Sequence, residues 1–244
     1  MKKILLSVLI LLIVISAGFY VYVSDYYRVD GEAVEAFLPS ADIEERILDG
    51  GNIAYIPDGA RAGVIFYPGG KVEYTAYTPL MRALAERGIL AVLVKMPHNL
   101  AVLKQGAADG IREEFDEVER WYMAGHSLGG SMAASYISKN ADTFDGLILL
   151  AAYSTADLTD SGLYVSSIYG SEDGVMNREK YGEYMTNLPT GTAETVIDGG
   201  NHAGFGMYGE QKGDGQAKIS AAEQIGQTAE IIEHFINSKE IGER

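Results

Sequence analysis

Trp121-Tyr122-Met123-Ala124-Gly125-His126-Ser127-Leu128-Gly129-Gly130 is the stretch on which the fold of this 244-residue chain turns. Residues 121–124 are apolar and read as a short strand, and residues 129–138 carry the spacing of a helix. Between them a serine stands in Gly-x-Ser-x-Gly. A serine on a sharp turn between strand and helix has its Oγ lifted above the sheet edge. The next backbone N–H, that of Leu128, points into the same space. The residues two before and two after crowd such a turn, so both must lack a Cβ. Gly130 and Ala133 then let the helix pack close. With 29 glycines in the chain, the pentapeptide takes its weight from this strand-turn-helix placement.

Working outward, residues 63–67 form an unbroken apolar run closed by Pro68-Gly69-Gly70, the pattern of a central strand and a tight turn. A shorter strand at 52–56 precedes it and ends at Pro57-Asp58-Gly59. Residues 78–87 have helical spacing, with Leu80, Ala83 and Leu84 on one face and Gly88 at the end. Strands follow at 89–94, 146–152, 164–169 and 192–197, and helices at 178–185 and 221–236. Residues 100–118 read as mostly helical, broken near Gly106 or Gly110. Strands alternating with helices predict an α/β fold with a mostly parallel central sheet covered by helices on both faces. Two stretches stay irregular, 154–162 and the glycine-rich 203–218. Such loops gather around sites.

A serine nucleophile needs a base. The strand-turn-helix serine goes with the chain order serine, acid, histidine. His98 precedes the serine, and His126 adjoins it with a side chain expected to point elsewhere. His234 lies in the closing helix beside Ile232, Phe235 and Ile236, as a surface or packing residue does. His202 follows a strand end in Asp198-Gly199-Gly200-Asn201, where a base belongs. The acid must orient that histidine. Asp173, just past the 164–169 strand, is the leading candidate. Glu172 is expected to face away, and Asp157 is the runner-up. Beside the Leu128 N–H, a tetrahedral intermediate needs a second donor. Pro68 has no N–H, which leaves Gly69, Gly70 or Lys71, with Gly70 favoured. Phe205 and Met207, after the histidine, are candidates to line an acyl pocket. Asp214 and Glu210 are acidic, but no spaced run of calcium-loop ligands is present. The expected chemistry requires no metal and no organic cofactor.

Residues 4–23 form a 20-residue run without a charge, about 30 Å long as a helix and so matched to a bilayer core. Lys2 and Lys3 precede it; Asp25, Arg28, Asp30 and Glu32 follow. The lysines belong on the cytoplasmic side, which puts the rest of the chain outside. Ser16-Ala17-Gly18 offers a cleavage site. The apolar run continues beyond it through Phe19-Tyr20-Val21-Tyr22-Val23, which favours an uncleaved anchor. The expected organisation is an anchor or signal segment at 1–25, a linker and lead-in at 26–49, and a domain at 50–244.

The formal net charge is −15, from 34 acidic and 19 basic residues. Phosphates would be repelled, so nucleic acid is excluded as a partner. There is no cysteine, which removes disulfides, thiolate metal sites and a thiol nucleophile.

Gly125-His126-Ser127-Leu128-Gly129-Gly130, the turn from Gly170 to Asp173, and Gly199-Gly200-Asn201-His202 together resemble the α/β-hydrolase superfamily over about residues 50–240. The small size looks like compact esterases without a cap, or dienelactone-hydrolase-like members with serine in place of their cysteine. Tyr67-Pro68 replaces the usual His-Gly of the oxyanion loop. The resemblance implies a serine hydrolase acting on a small-molecule ester or other acyl substrate. Ser127, Asp173 and His202 would be its triad, with the Leu128 and Gly70 amides as its oxyanion donors. An amidase or peptidase with the same triad, and a non-catalytic binding protein on the same fold, are the alternatives.

Overall fold

The computed structural model describes residues 2–36 and 43–242. Residues 37–42 of the expected linker and 243–244 of the expected domain lie outside them. Among the described residues one sheet of eight strands organises the molecule. The strands are β1 (Ile43–Ile47), β2 (Ile53–Pro57), β3 (Ala62–Tyr67), β4 (Ile89–Leu93), β5 (Arg120–His126), β6 (Gly146–Leu150), β7 (Tyr164–Gly170) and β8 (Ala193–Ile197). Their order is β1-β2-β4-β3-β5-β6-β7-β8. The first two joins, β1 to β2 and β2 to β4, are antiparallel, and the rest are parallel. The order reverses at β3, with β4 on one side and β5 on the other. Loops leaving the carboxyl ends of β3 and β5 therefore meet at a switch point, where such sheets bind ligands.

The helices are α1 (Lys2–Ser24), α2 (Gly31–Glu35), α3 (Thr78–Ala85), α4 (Leu128–Ile137), α5 (Arg178–Tyr184) and α6 (Ala221–Gly242). Side chains alternate across a strand, so β3 divides its residues between two cores. Val64 and Phe66 pack with Leu80 and Leu84 of α3 and Ile225, Ala229 and Ile232 of α6. Ile65 and Tyr67 pack with Ala133, Ala134 and Ile137 of α4. Both faces are covered, which explains why β3, β4 and β6 are buried at every residue.

Two stretches differ from the sequence expectation. Residues 100–118 are not a helix. They form short 3-10 turns at Ala101–Leu103, Gln105–Ala108 and Arg112–Glu114. The Tyr67 hydroxyl is one cause: it donates to the Gln105 carbonyl at 2.5 Å and accepts from the Ala108 N–H at 3.0 Å. Those backbone groups are then not paired along a helix. Gly110, at φ 79°, turns the chain a second time. The lead-in holds β1, the sheet's edge strand. Its Ile-Glu-Glu-Arg-Ile sequence is mostly exposed, as a charged edge strand is, so it lacks the apolar signature of the inner strands.

The apolar helix α1 is long and hydrophobic enough to cross a membrane, with mean hydropathy 2.8 over its most apolar stretch, which is wholly exposed. Signal sequences share these properties. Just beyond it, Tyr27 bridges Val72 in parallel fashion. The Asp30 N–H donates to the Met207 carbonyl at 2.8 Å.

Ile65 is fully buried between β3's neighbours and α4. Ile65→Ala should lower the unfolding free energy by about 2–5 kcal/mol, measured by urea unfolding. A loss below about 1 kcal/mol would show that this layer is not a packed core.

Candidate active site

The turn from β5 into α4 is strained and tightly enclosed. Ser127 has φ 52° and ψ −122°, a left-handed conformation that a non-glycine residue adopts only when its surroundings impose it. Three glycines let the neighbours close in. A Cβ on Gly129 would lie 2.3 Å from the Tyr67 and Pro68 carbonyl oxygens, one on Gly125 would meet Gly129 and Gly130 at 2.6 Å, and one on Gly130 would meet the Ala152 Cβ at 2.5 Å. The Ser127 N–H donates to the Leu150 carbonyl at 2.9 Å, so β6 holds the turn from the side.

The loop after β3 lies against this turn. A Cβ on Gly70 would be 2.7 Å from the Leu128 Cδ2. Of the three donors left open by the sequence, two are committed. The Gly69 N–H donates to the Tyr77 hydroxyl at 3.1 Å, and the Lys71 N–H to the Asn99 carbonyl at 2.8 Å. The Gly70 N–H and the Leu128 N–H have no partner among the described residues.

Asp173 and His202 stand together. Asp173 Oδ2 is 2.9 Å from His202 Nδ1, and both side chains are shut off from solvent. Asp173 Oδ1 accepts the Val175 and Met176 N–H groups, each at 2.8 Å. Burial opposes ionisation of Asp173. The His202 ring and the two backbone donors outweigh it and hold the carboxyl below the ordinary aspartate range. An ionised Asp173 draws a ring proton to His202 Nδ1, which in the neutral imidazole leaves Nε2 as an acceptor. That Nε2 is buried and unpartnered. His202 and Ser127 line one cavity of about 260 Å³, walled by Leu128, Ser131, Ala151, Ala152, Tyr153, Val175, Met176 and Asn177. Ser127 Oγ has no hydrogen-bond partner among the described residues, so no direct Ser127–His202 bond is formed in this state. Such bonds are often open before substrate binds.

The sequence model of the alpha/beta hydrolase family matches residues 63–226. The chain belongs to that family. Similar solved structures include carboxyl esterase 2 from Tuber melanosporum, at 12% identity and a TM-score of 0.60, covering 86% of this chain and 91% of that one. An esterase from Pyrobaculum calidifontis aligns at 16% identity and a TM-score of 0.58, covering 84% and 89%. Dienelactone hydrolase from Anabaena variabilis aligns at 14% and 0.58, covering 81% and 98%. At such identities the likeness is one of fold. None of the curated proteins compared with this hydrolase matches it.

Several residues of the hydrolase lie elsewhere than the sequence suggested. Phe205 and Met207 do not line the Ser127 cavity. Phe205 is fully buried with its ring 5.4 Å from that of His126, and Met207 lies in the α3–α6 core. The loop after His202 tucks inward, pinned by the Met207 N–H donating to the Ala76 carbonyl at 2.8 Å. The cavity wall comes instead from the segments after β6 and β7, Tyr153 and Met176 among them. Tyr153 stacks on Tyr184 at 5.3 Å, and its carbonyl accepts the Ser131 hydroxyl at 2.8 Å. Position after a strand's carboxyl end was the one signal that pointed to these residues.

His126 does not point away from the site either. Its ring lies 4.5 Å from that of His202, and its Nδ1 is 2.8 Å from the Tyr77 hydroxyl. Burial, then the neighbouring His202 ring, pushes its pKa far below the ordinary histidine value, so it stays neutral. Burial raises that of Tyr77, which keeps its proton. With its oxygen already accepting from Gly69, Tyr77 directs that proton to His126 Nδ1.

Asp214 binds backbone: it accepts the N–H groups of Gly174, His202, Ala203 and Gly215. It thereby clamps the loop of Asp173 to the loop of His202. Asp157 is exposed and accepts both donors of Thr159. Glu172 accepts from Lys218 and Ser171, away from His202. His234 is exposed, 3.8 Å from Glu230.

Because the folded Asp173 has a lowered pKa, its stabilisation is complete above the unfolded value and is lost as pH falls through the folded one. Between about pH 5 and pH 2, the unfolding free energy of the hydrolase should fall more steeply than that of Asp173→Asn. Parallel slopes in urea titrations would show that Asp173 is not a depressed carboxylate.

Proposed function

We propose that this hydrolase cleaves a carboxylic ester through an acyl-enzyme on Ser127. The observation that carries the reading is the buried Asp173–His202 pair: His202, its Nε2 unpartnered, lines the same cavity as the strained Ser127 turn. His202 takes the Ser127 proton as Oγ attacks the ester carbonyl. The Leu128 and Gly70 N–H groups, adjacent and uncommitted, receive the oxyanion. Such preorganised donors cost no rearrangement when charge develops. His202 then protonates the departing alcohol, and the C–O bond breaks. Water, deprotonated by His202, attacks the acyl-enzyme, and Ser127 leaves with its proton restored while the acid departs. Asp173 holds the imidazole in the required tautomer throughout. Tyr153, Val175 and Met176 supply apolar surface for the acyl group. The esterases among the similar structures support an ester as substrate.

In this reading α1 is a retained anchor that leaves the hydrolase domain outside the cytoplasm. Lys2 and Lys3, at the start of the apolar helix, support the orientation. Retention is supported by the packing of the helix end on the domain, where Val23 is only 7% exposed.

A fluorophosphonate probe should label the chain, and Ser127→Ala should abolish labelling; labelling that persists rejects Ser127 as nucleophile. His202→Ala should lower turnover of a short p-nitrophenyl ester by roughly 10³-fold or more, while His234→Ala leaves it unchanged. Equal losses in the two variants would mean that His202 is not the base. Labelling accompanied by cleavage of aminoacyl anilides, and no ester turnover, would replace the esterase reading with an amidase.

A further inference from the structure

The end of α1 does not hang free of the hydrolase domain. The Phe19 ring meets the His98 ring edge-on at 5.6 Å, and the helix packs against the 97–99 turn. The Lys71 ammonium lies 4.7 Å from the centre of the Tyr22 ring and 2.9 Å from Asp25 Oδ2. Past the helix, the Tyr27 N–H donates to the Lys71 carbonyl and the Glu73 N–H to the Tyr27 carbonyl, each at 2.8 Å. Lys71 follows Gly70 directly, and its own N–H reaches the Asn99 carbonyl. The helix end, the 97–99 turn and the Gly70 loop thus form one assembly.

Depth follows from helix geometry. Phe19 lies five residues before Ser24, which is about 7.5 Å along the helix axis. If α1 spans a bilayer, the turn packed on Phe19 sits at the depth of the bilayer surface. Tyr20 and Tyr22 are exposed there, and tyrosine favours that boundary. The next residues continue the apolar surface. Leu100 and Ala101 are buried and fix the turn to the core, whereas Val102 and Leu103 stand about half exposed, at 51% and 47%. Their turn packs on α4, whose first residue, Leu128, lines the Ser127 cavity. Lys104 follows and is exposed. An apolar patch with a basic neighbour, next to an apolar helix, suits lipid rather than water.

We propose that the face formed by the end of α1 and residues 97–103 lies on the bilayer, and that the substrate is a bilayer-resident acyl ester reaching Ser127 across that face. The proposal rests on the serine-esterase and anchor readings above. It commits Val102 and Leu103 to lipid, and it gives the substrate a chain that partitions into the membrane. The Gly70 loop is tied to the same segment, since the Lys71 N–H donates to the Asn99 carbonyl. A membrane ester would present its carbonyl at the depth of the Leu128 and Gly70 amides while its chain stayed in lipid.

The full chain, reconstituted in phosphatidylcholine vesicles, provides the test. Turnover of a long-chain p-nitrophenyl ester dissolved in the bilayer is compared with that of p-nitrophenyl butyrate in solution. In the double variant Val102→Glu, Leu103→Glu, the ratio of bilayer to soluble turnover should fall about tenfold or more, with fluorophosphonate labelling retained. Leu103→Trp supplies a reading independent of turnover. Its emission should be quenched by brominated lipid beyond the level of the wild type, whose single tryptophan, Trp121, lies at the opposite end of β5. An unchanged ratio, or no added quenching, overturns the proposal. Loss of both turnovers and of labelling in the double variant means that its fold has failed, and the quenching then decides alone. Absence of wild-type labelling instead strikes the serine reading and takes the ester substrate with it, leaving the quenching to judge the bilayer face.

Discussion

The close approach of two loops at the carboxyl ends of β3 and β5 is the constraint on which the site depends. Gly129 lies so near the Tyr67 and Pro68 carbonyls that a Cβ would overlap both oxygens. That approach accompanies the contact of Gly70 with the Leu128 side chain, and the N–H groups of these two residues have no partners among the described residues. It also leaves Ser127 no room to relax its positive φ, because β6 holds the Ser127 N–H from the other side. The strain is thus maintained by packing on both flanks, as strained functional turns are. Moving either loop would cost the donor pair before it cost the sheet.

Around this contact the polar groups brace one another. Tyr77 accepts from Gly69 and reaches His126, whose ring lies on that of His202. The Gly69–Gly70 loop and the proposed base are therefore joined through two buried, uncharged side chains. On the far side of His202, Asp173 takes three hydrogen bonds and Asp214 ties the two loops by their backbones. An unpaired charge would be costly at this depth. The site holds one depressed carboxylate with a full set of donors and keeps its second imidazole neutral. The electrostatic result is an unpartnered imidazole nitrogen on a residue that lines the cavity.

Much of this was legible in the chain, and the parts that were not share a cause. The unbroken apolar runs at 63–67 and 146–152 announced a sheet buried on both faces. The mostly charged β1 did not, since an edge strand has no inner face on both sides to fill. Residues 100–118 carried helical spacing, but the Tyr67 hydroxyl, more than thirty residues earlier in sequence, takes up the backbone groups that a helix would use. Asp173 and His202, singled out by their places after strand ends, are paired in the structure. Phe205 and Met207 were assigned to the pocket by sequence proximity to His202, yet the loop folds inward and buries them.

By itself, the sequence determined the alternation of strands and helices, the glycine-bounded serine turn, the order of serine, acid and histidine, and the apolar helix at the start. These are short-range patterns, set by side-chain periodicity and by where a Cβ can fit. Tertiary structure alone decided that Gly70 rather than Gly69 or Lys71 keeps an uncommitted N–H, since the competing partners Tyr77 and Asn99 come from other elements. It also decided that His126 faces His202, that Asp214 holds backbone, and that Tyr153 walls the cavity. Each of these depends on which residues, distant along the chain, meet at the sheet's carboxyl edge, and no local pattern encodes that meeting.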